Sequence, residues 1–352
     1  MSRFLRKQYE NIEPYTPGEQ PRIENLIKLN TNENPYPPSP EVEKITGTEI
    51  RSLVRYPDPA ATDLVTAIAE FYGVDPAQVA VGNGSDEIIA FIYMAFGEKV
   101  YYPAISYGFY PVFAETFMCE CAAIPLTEDL RIDAEDYKNL DGTIIIANPN
   151  APTGIALSRE EIRVILDTNP ENLVVIDEAY VDFGGESCVP LLDEYDNLII
   201  VQTFSKSHSL AGIRIGLALA SEEVITDINK MKFSFNPYNL DRLAIVAGVA
   251  AIRDKKYFYE CCRKVIDTRE WFTEKMEGMG FEILPSAANF VFVRNDRISG
   301  KEYFTKLREK AILVRHFDKD PISDYVRITI GKDEDMKKLI EVTEEILCAA
   351  AK

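Results

Sequence analysis

Four short runs between residues 143 and 220 are apolar without alternation: TIIIA at 143–147, NLVVID at 172–177, NLIIVQ at 197–202 and IGLALA at 215–220. A strand that is apolar on both faces must be covered on both faces, so such runs belong to a sheet between helical layers. Helical patterns intervene. One covers 63–71 and stops at Gly73, one opens near Ser85 after a short strand at 78–81, and one follows Ser158. The alternation predicts an α/β fold with a mostly parallel sheet sandwiched by helices. From about Asp254 the pattern changes to a long helix over 255–279 and short strands near 281–284, 289–293, 312–315 and 325–330. Helices at 301–310 and 334–347 complete a smaller α+β domain. Pro14, Pro17, Pro21, Pro35, Pro37, Pro38 and Pro40 forbid a long helix at the start and predict an arm. The expected division is an arm and part of the small domain at 1–50, a large domain at 51–253 and a small C-terminal domain at 254–352.

Charge and residue scarcity narrow the chemistry. The 352 residues carry 38 Lys and Arg against 57 Asp and Glu, a formal charge of −19. That balance disfavours nucleic acid as a partner, because phosphate binding needs a basic footprint. No apolar run approaches the ~20 residues that span a bilayer, and the first seven residues lack a signal-peptide pattern. The expectation is a cytoplasmic protein without a membrane partner. With only His208 and His316, a multi-histidine metal site is excluded. None of the six cysteines forms a C-x-x-C pair, so no metal is expected. Acid–base work falls to lysine, tyrosine, carboxylates or a cofactor.

In open α/β sheets ligands bind beyond the carboxyl ends of the strands. After Val81 comes Gly82-Asn83-Gly84-Ser85-Asp86, a turn whose amides suit a phosphate. After Ala147 comes Asn148-Pro149-Asn150-Ala151-Pro152-Thr153-Gly154, a rigid loop. After Ile176 come Asp177 and, three residues on, Tyr180; a buried acid there needs a cation or strong donor. After Gln202 come Thr203, Ser205 and Lys206, with Arg214 eight residues beyond the lysine. Lysine at such a place is a candidate nucleophile, and the hydroxyls and Arg214 are candidate phosphate ligands. Each segment alone also reads as a tight turn, an ion pair or a surface lysine. Together, in one order along one sheet, they meet the requirements of pyridoxal phosphate.

With these motifs the sequence resembles the fold-type I pyridoxal-phosphate aminotransferases, and within them the histidinol-phosphate branch. The resemblance runs from Leu29-Asn30-Thr31-Asn32-Glu33-Asn34-Pro35 to Val326-Arg327-Ile328-Thr329-Ile330-Gly331. It implies Lys206 as the Schiff-base lysine, Asp177 beside the ring nitrogen and Tyr180 on the phenolic oxygen. It implies Tyr107 stacked on the ring, and Gly84, Ser85, Asp86, Thr203, Ser205 and Arg214 around the phosphate. Tyr56 would reach the neighbouring subunit's phosphate, which implies a homodimer with composite sites. Arg315 and Arg327 would meet the substrate anion, with Tyr15 and Asn289 as further contacts. One position departs from the family pattern. The asparagine expected directly before Pro-Thr-Gly is Ala151 here, so either Asn150 takes its contact or Tyr180 holds the oxygen alone. The implied activity is transamination between L-histidinol phosphate and 2-oxoglutarate in histidine biosynthesis. An aromatic aminotransferase or a threonine-phosphate decarboxylase of the same fold is the alternative.

Overall fold

The structure, a computed structural model, describes residues 5–10, 12–45 and 47–350. Residues 1–4, 11 and 46 of the expected arm and 351–352 of the expected small domain lie outside the described residues.

After a two-residue strand β1 (Ile27–Lys28), seven strands form the main sheet. They are β2 (Val79–Asn83), β3 (Lys99–Pro103), β4 (Glu120–Ile124), β5 (Thr143–Ala147), β6 (Val174–Asp177), β7 (Leu198–Thr203) and β8 (Ile215–Leu219). Their spatial order is β2-β8-β7-β6-β5-β3-β4. Every pairing is parallel except those of β8, which runs against both β2 and β7.

Alternation along each strand divides its side chains between two cores. Ile144, Ile146, Ile176 and Ile200 pack on one face against Leu64, Ile68, Ile162 and Ile165. Ile145, Val175, Ile199 and Val201 pack on the other against Ile88, Ile92, Phe113 and Ile225. Covering both faces explains why β5, β6 and β7 are buried along their whole length. The helices start and stop where side-chain chemistry dictates. Ser158 and Glu161 form a capping box, with Ser158 N 2.7 Å from Glu161 Oε2. Helix Thr62–Tyr72 ends at Gly73, in the left-handed conformation that glycine adopts freely.

The C-terminal body holds β9 (Glu282–Ile283), β10 (Phe290–Arg294), β11 (Ile312–Leu313), β12 (Arg315–His316) and β13 (Val326–Thr329). Four of these form an antiparallel sheet in the order β12-β13-β10-β9. Its core joins Val291, Val293, Val326 and Ile328 to Phe272, Met276, Leu307 and Leu339 on helices Lys255–Gly278, Gly300–Glu309 and Asp333–Ala350. The run 312–315, expected as one strand, divides at Val314. Its first half pairs with β1 of the arm and its second with β13. Strands β3 and β4 drew no expectation from the sequence; β4 is a partly exposed edge strand. Among the described residues, no helix is long and apolar enough to cross a membrane.

Strand β8 passes close to the start of helix Gly84–Phe96. A Cβ on Gly216 would lie 2.2 Å from Gly84 C and Ser85 N, which no side chain tolerates. Gly216→Ala is therefore expected to cost about 1–3 kcal/mol in urea denaturation through overpacking. Unchanged stability would show that the helix start moves aside freely.

Candidate active site

The parallel strands end on one side of the sheet, and their carboxyl ends carry the polar residues that the two cores exclude. Asp177 closes β6, Ala147 precedes the proline-rich loop, and Thr203 leads through Ser205 to Lys206. Because β8 runs antiparallel, its beginning lies at this same edge. That brings Arg214 beside Gly84, whose N–H donates to Arg214 O at 3.1 Å. Gly84 is itself left-handed, and a Cβ there would meet Arg214 Nη2 at 2.4 Å.

These residues enclose a cavity of about 100 Å³ lined by Ser85, Asp86, Tyr107, Asp177, Tyr180, Thr203, Ser205, Lys206 and Arg214. Its two ends differ in chemistry. At one end, Arg214 donates to Ser205 Oγ at 3.2 Å and to Asp86 Oδ2 at 3.0 Å, beside the first amides of helix Gly84–Phe96. Tyr107 Oη donates to Asp86 Oδ1 at 2.7 Å. A helix N-terminus, a hydroxyl and a guanidinium make an anion seat. At the other end the Asp177 carboxylate is buried. It accepts from Tyr110 Oη at 2.9 Å and from Ala179 N at 3.2 Å. Among the described residues no cation lies within ion-pair distance of it, and burial pushes Asp177 up to about 6. Lys206 Nζ sits between, donating to Thr31 O at 3.1 Å and lying 5.7 Å from the centre of the Tyr180 ring. An anion seat, an acid without a cation partner among the described residues, and a lysine amine around a cavity lined by two tyrosines fit a planar ring with a phosphate at one end and a protonated nitrogen at the other.

A larger cavity of about 680 Å³ opens above, sharing Tyr107, Tyr180 and Lys206 and adding Tyr15, Arg315 and Arg327. Arg315 and Arg327 are registered opposite each other on β12 and β13. Arg327 Nη2 donates to Asn30 O at 3.0 Å, while its buried Nε has no partner among the described residues. Burial draws Arg327 below its ordinary value, and the nearby Arg315 adds to the effect. Neither arginine is paired with a carboxylate among the described residues, although the chain carries a charge of −19. Tyr15 stacks on Phe109 at 4.4 Å, so the arm forms one wall.

Three expected residues stand elsewhere. Asn150 turns its Nδ2 to Ile105 O at 3.0 Å and to Thr153 Oγ1 at 3.1 Å; the cavity wall at this loop is Ala151. Asn289 is fully buried outside both cavities, with Nδ2 donating to Asn32 O at 3.0 Å. Tyr56 is 77% exposed, stacks on Tyr238 at 4.6 Å and lines neither cavity. Other residues at the site drew no expectation from the sequence. Tyr110 holds Asp177, Thr31 holds the Lys206 amine, and Asn34 Nδ2 donates to Lys206 O at 3.1 Å and Ser207 O at 3.3 Å. Asn34 and Thr31 lie in the 29–35 motif that signals the arm, whereas nothing distinguishes Tyr110 among 18 tyrosines.

The Asp177 environment has a thermodynamic consequence. A carboxyl whose folded value is raised favours folding below the unfolded value and loses that contribution as pH rises through about 6. In cofactor-free protein, Asp177→Asn is expected to raise stability by about 1–3 kcal/mol at pH 7.5, with the gain disappearing near pH 4. Urea denaturation at the two pH values measures it. A pH-independent difference would show that charge burial is not its source.

The comparisons with known proteins agree with this geometry. Residues 24–342 match the family described as aminotransferase class I and II. The chain is 49% identical to the histidinol-phosphate aminotransferase of Brachyspira hyodysenteriae over 352 residues, covering 99% of each chain. It is 51% identical to that of Acinetobacter baylyi, covering 96% of each. Among solved structures, the histidinol-phosphate aminotransferase of Clostridium acetobutylicum superposes with a TM-score of 0.86 at 26% identity, covering 92% of this chain and 100% of that one. The enzyme of Sinorhizobium meliloti, solved in complex with pyridoxal-5'-phosphate, gives 0.83 at 25%, covering 92% and 91%. The edge-on site of a mixed sheet and the match along nearly the whole chain lead to one conclusion: this chain belongs to the class I and II aminotransferase family.

Proposed function

We propose that this enzyme uses pyridoxal phosphate to transfer an amino group between L-histidinol phosphate and 2-oxoglutarate, as a homodimer acting in histidine biosynthesis in the cytoplasm. The observation that carries the substrate reading is the pair Arg315 and Arg327. Two adjacent guanidinium groups without a carboxylate partner among the described residues, lining the 680 Å³ cavity that Lys206 also lines, suit a dianionic phosphate. A single fork suffices for a carboxylate, so one seat serves histidinol phosphate and glutamate in turn. The names borne by relatives at 49% and 51% identity support the same substrate.

The residues divide the work. Ser205, Arg214 and the amides of Ser85 and Asp86 would hold the cofactor phosphate, with Gly84 and Thr203 shaping the turn around it. Tyr107 would cover one ring face. Asp177 would keep the ring nitrogen protonated, and Tyr180 would donate to the phenolic oxygen. When bound, pyridoxal phosphate supplies a conjugated ring that accepts the electron pair released at the substrate α-carbon. Lys206 would carry the cofactor, and its amine, released by the incoming amino group, would take and return the α-carbon proton. Arg315, Arg327 and Tyr15 orient the substrate anion. In the dimer, Tyr56 would complete the partner's phosphate seat; Tyr56 and Tyr238, exposed and stacked at 4.6 Å, are apolar surface that a second copy would cover.

The half-reaction tests this reading. Adding L-histidinol phosphate without a keto acid should remove the visible absorption of the lysine-bound cofactor and yield pyridoxamine phosphate. Absorption that persists with histidinol phosphate but vanishes with phenylalanine would move the assignment to aromatic substrates. Arg327→Ala is expected to raise KM for both histidinol phosphate and 2-oxoglutarate by about 10–150-fold through the loss of charged hydrogen bonds. Arg315→Ala should affect the phosphate substrate more.

A further inference from the structure

Tyr180 has one hydroxyl proton to give. Asn32 Nδ2 lies 3.0 Å from Tyr180 Oη, and the next link fixes the direction of that bond. The Asn32 backbone N–H donates to Thr329 Oγ1 at 3.0 Å, and Thr329 Oγ1 donates to Asn32 Oδ1 at 3.0 Å. Among the described residues the Thr329 hydroxyl has no other acceptor, so its proton goes to Oδ1. The opposite end of the amide, Nδ2, therefore faces Tyr180 as a donor. Tyr180 accepts from Asn32, and its own proton is left for the cavity that its ring lines.

The surroundings of Asn32 are built to hold that orientation. The residue is 1% exposed and adopts φ 57°, a left-handed conformation that asparagine tolerates. Its carbonyl accepts from Asn289 Nδ2, and Asn289 O in turn accepts from Ile330 N at 2.9 Å. This network supplies a physical account of Asn289, which is buried away from both cavities. Thr329 lies two residues beyond Arg327 on β13, so the strand that carries Arg327 also anchors the asparagine.

We infer that Asn32 is a positioning residue for the reaction: its amide aims the Tyr180 proton at the phenolic oxygen of the cofactor and strengthens Tyr180 as a donor. The inference rests on the proposed role of Tyr180. A hydroxyl that accepts one hydrogen bond donates the next more strongly, by about 10–30%. Asn32 thereby supports the phenolic contact at a site where Ala151 has no amide and Asn150 faces Ile105 and Thr153.

The test reads the pH midpoint of the visible absorption of cofactor-loaded protein, without turnover. Tyr180→Phe should raise that midpoint by about 1–2, because a donor to the phenolate is lost. Asn32→Gly removes the amide and keeps the backbone angle accessible; it should raise the midpoint by about 0.5. The double variant should reach no higher than Tyr180→Phe alone. Thr329→Val, which keeps side-chain volume, should shift the midpoint in the same direction and stands in if Asn32→Gly folds poorly. An unchanged midpoint in Asn32→Gly or its stand-in, with Tyr180→Phe raised, sinks the role of Asn32 and leaves that of Tyr180. Additive shifts in the double variant overturn it equally. No change in Tyr180→Phe removes the reading of Tyr180 and the inference together.

Discussion

The central strands are apolar on both faces, and that constraint decides where chemistry can occur. With Ile144, Ile146 and Ile200 facing one helical layer and Ile145, Val175 and Ile199 the other, no face of the sheet is left for a ligand. Polar groups survive only where a strand stops. The single reversal of β8 extends this rule, because it delivers Arg214 to the edge at which β2, β6 and β7 end. One anion seat is thus assembled from residues 84–86, 205 and 214.

The edge was legible in the sequence for the same reason. Lys206, Asp177 and the Gly84 turn each follow an apolar run, so spacing alone puts them on one side of a parallel sheet. Side-chain direction within a loop was not legible. Asn150 turns to Ile105 and Thr153 because local turn geometry and a carbonyl 45 residues away determine its rotamer. Tyr110 and Asn32 escaped for a related reason: their partners Asp177 and Tyr180 lie 67 and 148 residues away. Strand periodicity gave the location of the C-terminal sheet but not the break at Val314, which exists because two different partners claim adjacent residues.

Stability and function pull in different directions at this site. Among the described residues, Asp177 is buried without a cation and Arg327 keeps an unpartnered buried nitrogen. Both are costly in the isolated fold. The large helical cores on either side of the sheet supply the stability that lets such groups persist where a ring nitrogen and a substrate anion would satisfy them.

Strand β1 is only two residues long, yet it pairs with β11, and Asn32 just beyond it meets Thr329 across 297 residues of sequence. Residues 27–34 therefore leave the ribosome long before the strands that receive them exist. The carbonyl that holds the Lys206 amine is Thr31 O, three residues beyond β1, so its placement requires the C-terminal strands with which the arm pairs. The cavity wall that the arm supplies thus depends on strands nearly 300 residues further along the chain, so the site is complete only once the C-terminal sheet is present.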